Sequence, residues 1–202
     1  MSGEKTPPAG RRARNKSAKL ERITAAAKEL LSISGASGIT TAAVAKSADV
    51  AVGTLFLYAK TKGELLLLAQ NTDYEAALEA GIPASESWDE LFGALEALWA
   101  PVFACNRKNV ENGRAYLREV MFGNPGDPNH AQAISHMQAT EAQTARLIAK
   151  FIKTSGDEAA ALAVNISAIA FVLLSSPLTA ELAVENLISS LISQCRLMFR
   201  GL

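Results

Sequence analysis

Residues 39–65 read ITTAAVAKSADVAVGTLFLYAKTKGEL. Thr40 and Thr41 stand before a short apolar-periodic run, where a hydroxyl caps the free amides of a helix start. Val44, Ala45 and Ala48 form one face at helical spacing, and Asp49-Val50 interrupts it before a further short helix from Ala51 to about Tyr58. Small residues at Ala45 and Ala48 allow the two helices to cross closely. Val50 supplies a buried aliphatic at the turn and Leu55 a core anchor on the second helix. Two short helices across a tight turn, with a supporting helix before them, form a helix-turn-helix whose slender second helix fits the DNA major groove.

Upstream, Leu20, Ile23, Ala27, Leu30, Leu31 and Ser34 recur at helical spacing until Gly35 and Gly38, so the supporting helix spans about 17–34. Before it, residues 1–15 (MSGEKTPPAGRRARN) are polar, basic and rich in Pro and Gly, and read as a disordered arm. Downstream, Thr61 and Glu64 have the spacing of a capping box at the start of a fourth helix, expected to end near Glu79 before Gly81 and Pro83. Five longer helices are expected over about 86–105, 108–122, 128–154, 157–175 and 179–200, with Gly123-Asn-Pro-Gly-Asp-Pro128 as a loop. No alternating strand pattern or repeat interrupts them. The expected fold is all-α, with a head over 16–62 and a larger helical body over 63–202.

Charge follows the same division. Residues 1–65 hold eleven Lys/Arg and five Asp/Glu (11 − 5 = +6); residues 66–202 hold nine and fifteen (9 − 15 = −6). A basic head and an acidic body point to a polyanionic partner for the head alone. Hydrophobic residues make up 49% of the chain, enough for a substantial core. Cys105 and Cys195 match no metal or disulfide spacing, and a reducing, cytoplasmic setting is the simplest reading. No secretory signal is apparent. The charge-free run Ala159–Ala180 ends in Ser175, Ser176, Pro177 and Thr179, and reads as a buried helix rather than a membrane span.

The 39–65 stretch resembles the DNA-binding domain of the TetR/AcrR family of regulators. Val44, Ala45, Ala48, Val50, Gly53, Thr54, Leu55, Tyr58, Lys62 and Leu65 fall on that family's pattern, with Thr41 or Thr40 at the start of the second helix. The sequence departs from it in four places. Asp49 stands where glycine is usual, Ala51 where a serine cap is usual, Phe56 for a tyrosine and Ala59 for a core phenylalanine. The resemblance implies that Thr40 or Thr41, Tyr58 and Lys62 contact phosphates, while Ala51, Val52, Gly53 and Leu57 meet base edges, with Phe56 beside them. That surface has almost no hydrogen-bonding side chains, so it is expected to read thymine methyls and DNA shape. Arg11, Arg12 and Arg14 of the arm would add phosphate or minor-groove contacts.

The resemblance also implies a ligand pocket and a dimer. The middle helices carry Trp88, Phe92, Trp99, Phe103, Tyr116, Met121, Phe122 and Met137 as candidate lining, suited to a hydrophobic or aromatic effector. Arg114, Arg118, Glu119 and Glu141 are candidate polar anchors. Val184, Ile188, Leu191, Cys195 and Met198 repeat at spacings of four and three and are the candidate dimer stripe. His130 and His136, six apart, lack the spacing of a helical metal pair, and no motif requires an enzyme, a metal or a cofactor. The expected function is a ligand-responsive regulator, repressing as a homodimer on a palindromic operator. The alternative is a small-molecule binding protein whose head no longer reads DNA.

Overall fold

The computed structural model describes residues 10–200. Helix α1 spans Arg11–Gly38, α2 Thr41–Ser47, α3 Val52–Leu55, α4 Lys62–Glu86 and α5 Leu91–Arg107. They are followed by α6 Val110–Phe122, α7 Pro128–Phe151, α8 Gly156–Ser175, a short 3₁₀ turn Pro177–Thr179, and α9 Val184–Met198. Among the described residues there is no strand.

The head is α1–α3 closed over the start of α4. Ile23, Ala27, Leu31, Ile39, Val44, Ala45, Leu55 and Leu65 are its buried interior. Helix α1 begins at Arg11, so residues 11–15 are helical rather than a free arm. After Gly10 nothing breaks the helix, and the arginines, alanine and lysine that follow are good helix formers. Residues 1–9 of the arm, and the side chains of Arg11 and Arg12, lie outside the described residues. Gly35 adopts φ 65°, a left-handed value that bends the chain at the end of α1 and frees it to approach α2.

Helix α4 is longer than its glycine and proline suggested, running past Gly81 and Pro83 to Glu86. Gly81 is buried where α4 crosses α5, and a Cβ there would stand 2.6 Å from the Leu98 carbonyl oxygen. The glycine serves that close crossing and does not end the helix. Pro83 is on the solvent side, where water can satisfy the carbonyl its missing N–H leaves free. Helix α4 therefore reaches from head to body as one continuous element.

In the body, α4, α5, α6 and α7 surround an interior of Leu78, Leu95, Leu98, Phe103, Val120 and Ile148. Helix α8 is apolar and long enough to cross a membrane by length and composition, yet only 28% of its most apolar window is buried within the chain. The expectation of a buried helix therefore fails for one face. Ile166, Ala170, Leu173 and Leu174 turn inward, while Ala160, Ala161, Val164, Ala168 and Val172 form an exposed stripe at spacings of three and four.

The stripe Val184, Ile188, Leu191, Cys195 and Met198 is not on the surface. Leu191 and Cys195 are fully buried, Ile188 nearly so, and Val184 and Met198 are half-buried against the same core. Helix α9 uses it to pack on the body's own core, principally α5. Its outer face instead carries Asn186, Ser189, Ser193 and Leu197. Both cysteines are free thiols, pushed up to about 11 by burial, and so stay protonated.

Candidate DNA-reading head and effector cavity

The turn between α2 and α3 is closed by backbone bonds from Val50 N–H to Ala45 O (3.0 Å) and from Asp49 N–H to Lys46 O (3.2 Å). Such a helix end needs a residue in the left-handed region, and Asp49 takes it with φ 51°. An aspartate tolerates this better than most side chains, though less readily than glycine. Thr40 caps α2, its Oγ1 accepting from the Ala43 N–H at 3.1 Å. Ala51 begins α3 with no side-chain cap. Thr61 Oγ1 accepts from the Glu64 N–H at 3.1 Å, and Glu64 returns a bond to the Lys60 N–H at 2.5 Å. The expected capping pair is therefore present, with its return bond one residue earlier.

The exposed face of α3 and its following turn comprises Ala51, Val52, Gly53, Phe56 and Leu57. Leu57 is 82% exposed and Val52 and Phe56 each 41%. So much apolar side chain on a short, capless helix is without value to the head's own core. Thr41 and Tyr58 are half-buried beside it, and Lys62 and Arg14 are exposed. Tyr58 donates its hydroxyl to Lys16 O at 3.3 Å. The Lys62 ammonium donates to Ser37 O, so a phosphate would have to compete with that carbonyl.

Besides the Lys28–Asp73 ion pair between α1 and α4 (2.6 Å), the body is hydrogen-bonded to the head at two places among the described residues. At the start of α6, Glu111 Oε1 accepts from the Ser37 N–H at 2.7 Å, and Asn112 Nδ2 donates to Leu31 O at 3.0 Å. The bonds from Ser37 hold the Glu111 carboxyl below the usual glutamate range. At the start of α7, capped by Asp127, Asn129 Nδ2 donates to Tyr58 O at 2.9 Å. The second contact continues inward. Asn71 Nδ2 donates to Asn129 O at 2.8 Å, and Tyr116 donates its hydroxyl to Asn71 Oδ1 at 3.0 Å. Tyr116 stacks on Tyr74 with ring centres 4.3 Å apart, and the Tyr74 hydroxyl accepts from Asn106 Nδ2 at 2.7 Å. Asn71, Asn129 and Tyr116 are all buried, so each bond lost would strand a polar group. Burial also raises both tyrosines far above the ordinary phenol range.

Tyr74 and Tyr116 are also walls of a cavity of about 420 Å³ between α4, α5, α6, α7 and α8. Leu78, Trp99, Val102, Val120, Met121, Met137, Thr140, Glu141, Val164 and Phe171 complete most of its lining. Of the expected lining residues, Trp99, Tyr116, Met121 and Met137 are brought together here. The other four are elsewhere. Phe103 is fully buried in the core, edge-on to Trp99. Phe92 meets Phe199 edge-on and lies under the Arg196 guanidinium, pinning α9 to α5. Trp88 precedes α5, partly exposed, its indole lying over Gly93. Phe122 is 79% exposed at the end of α6.

The sequence reading missed Tyr74 and Leu78, which share a face of α4 four residues apart, and missed Val164 and Phe171 because α8 was taken as wholly buried. Of the candidate anchors only Glu141 lines the cavity. Arg114 Nε donates to Ser175 O at 2.9 Å, and Arg118 pairs with Glu119 at 3.6 Å. Trp99 Nε1 and His136 Nδ1, both on lining residues, are buried with no hydrogen-bond partner among the described residues. His130 instead bonds Val120 O through Nε2 at 3.0 Å, tying α7 to α6.

The model of the bacterial regulatory proteins of the tetR family matches residues 23–69. Among curated protein sequences none matches the chain. The fold is similar to that of a TetR transcriptional regulator from Rhodococcus sp. RHA1, with a TM-score of 0.71, 18% identity, and coverage of 93% of this chain and 99% of that one. It is also similar to Thermus thermophilus FadR, a TetR family transcriptional repressor in complex with lauroyl-CoA (TM-score 0.70, 19% identity, 91% and 94% coverage). Bacillus subtilis FadR in complex with stearoyl-CoA is a further structural neighbour (TM-score 0.59, 12% identity, 86% and 95% coverage).

Proposed function

We propose that the chain is a DNA-binding transcriptional regulator of the tetR type, the family whose model matches residues 23–69, that it represses as a homodimer on a palindromic operator, and that it releases the operator when a small molecule enters the body. The observation that carries this reading is the exposed apolar face of α3, presented beside Thr41, Tyr58 and Lys62 on a head that is otherwise well packed. Ala51, Val52, Gly53 and Leu57 meet base edges, with Phe56 at their margin. Thr40, Thr41, Tyr58, Lys62 and the arginines Arg11, Arg12 and Arg14 serve the phosphates.

The second copy belongs on the α8–α9 side. The exposed stripe Ala160, Ala161, Val164, Ala168 and Val172 has small and apolar side chains, the surface that helix–helix association in a four-helix bundle uses. A twofold axis there sets two heads side by side for a palindrome.

The cavity supplies the control, with two unpartnered polar atoms on lining residues and a mostly apolar wall. Two of the FadR structures above hold acyl-CoA molecules, so a small apolar effector is in keeping with the fold. Its route to the head is the bonded series Tyr116–Asn71–Asn129–Tyr58, together with the Glu111–Ser37 contact. An effector that shifts α6 and α7 moves both contact points and changes the spacing of the two α3 helices. It can do so only if it binds the two arrangements unequally.

Selection of bound sequences from a random duplex pool at fixed salt tests this. A recovered palindrome supports the regulator. Weak binding with no consensus favours the alternative, a small-molecule binding protein whose head has lost sequence reading through Asp49, Ala51, Phe56 and Ala59.

A further inference from the structure

The cavity discriminates by charge. Among the described residues its lining includes no lysine or arginine. The arginines near its α6 wall are engaged elsewhere: Arg118, next to Leu117, is exposed and paired with Glu119 at 3.6 Å. Arg107 donates to the carbonyls of Leu173, Thr179 and Ala180 at 3.1–3.2 Å, and Arg114 donates to that of Ser175, so both tie down the end of α8. Burial holds His136 below the ordinary histidine range, which favours its neutral form. Glu141 is the one acidic residue on that lining.

Glu141 is a half-buried residue, and its carboxylate joins none of the four ion pairs among the described residues. Along α7, the positions three and four away are Met137, Gln138, Thr144 and Ala145, none of them a cation. A carboxylate against an apolar wall with no partner favours a positive charge brought in from outside, since desolvation is then offset by pairing. The wall itself carries four aromatic residues, Tyr74, Trp99, Tyr116 and Phe171. Aromatic faces attract a cation and repel an anion. A fatty acyl carboxylate or a phosphate-bearing head group would meet the opposite conditions here.

We propose that the effector is a lipophilic organic cation, its charge paired with Glu141 and its body stacked among Tyr74, Trp99, Tyr116 and Phe171. This rests on reading the cavity as the effector site. Tetraphenylphosphonium and tetraphenylborate test it, because they share size and shape and differ in the sign of their charge. Binding of each to the full chain is measured by calorimetry without DNA. The phosphonium is expected to bind more tightly than the borate by at least about tenfold, and Glu141→Gln to remove that preference while Glu141→Asp keeps it. Equal binding, a preference for the borate, binding of neither ion, or a preference that survives Glu141→Gln would overturn the proposal.

A second arm separates this from the regulator reading. If the phosphonium binds through Glu141, the cation site stands whether or not affinity for the selected duplex changes. An unresponsive duplex would count against ligand control alone.

Discussion

The head and the body of this chain are built from the same amphipathic helices but use their side chains in opposite ways. In the head, apolar residues are left outside: Val52, Phe56 and Leu57 face solvent on a helix of one turn and the turn that follows it. In the body, polar residues are brought inside: Asn71, Asn106, Asn112, Asn129, Thr140, Gln143 and Thr144 are buried, and several are linked in series. An exposed apolar face has value only when something outside covers it. A buried polar series has value when its geometry must be kept in one arrangement, or exchanged for another. The contrast separates a surface made for a partner from an interior made for transmission.

The largest expected effect breaks the head alone. Leu55 is fully buried between α3 and the head core, and Leu55→Ala should cost about 2–5 kcal/mol. Hydrogen exchange should rise across 39–61 and duplex binding should vanish, while phosphonium binding in the body persists. Simultaneous loss of both activities would show that head and body are one cooperative unit.

Next in size is the hydrogen-bonded series. Tyr116→Phe removes the donor to Asn71 and should cost about 1–3 kcal/mol. Its particular signature is faster exchange of the amides around Tyr58, far from the substitution. Tyr74→Phe takes a hydroxyl from the same stacked pair on the branch leading to Asn106, and should leave those amides unchanged. Equal effects of the two variants would reduce the series to ordinary packing.

Smaller changes sharpen the head in the other direction. Asp49→Gly relieves a left-handed aspartate, and Ala51→Ser restores a cap on α3. Each should raise stability by about 1 kcal/mol, read as a higher melting temperature of the head. Smallest of all, uracil in place of a contacted thymine should weaken binding by about 0.8 kcal/mol for each methyl lost from the α3 face. Unchanged affinity would mean that α3 does not read methyls.

The same contrast explains what was legible in the sequence. The head's caps, turn and core are set by residues a few positions apart, and Thr40, Asp49-Val50, Leu55 and Thr61–Glu64 show themselves at that range. The body is decided by crossings between distant segments. Gly81 reads as a helix end, but is there to let α4 lie against the Leu98 backbone. Leu191 and Cys195 read as a dimer stripe, because an apolar stripe looks the same whether it faces its own core or a second copy. Phe92, Phe103 and Phe122 could not be told from Trp99 and Tyr116, since spacing along one helix does not say which neighbour each side chain meets. The joining of Tyr58, Asn71, Tyr116 and Asn129, spread over the 71 positions between Tyr58 and Asn129, leaves no local mark at all.

In the proposed dimer, two heads act together on one operator through the exposed face of α8. Fluorescence-anisotropy titration of the selected palindrome, at fixed salt, by the native chain and by Val164→Glu tests it most directly. Val164 is 52% exposed within the single chain and also borders the cavity, so the titration is made without effector. The account predicts two copies of the native chain per duplex, and binding of Val164→Glu weakened by about a hundredfold on the palindrome but unchanged on an isolated half-site. Full affinity of Val164→Glu for the palindrome would contradict it.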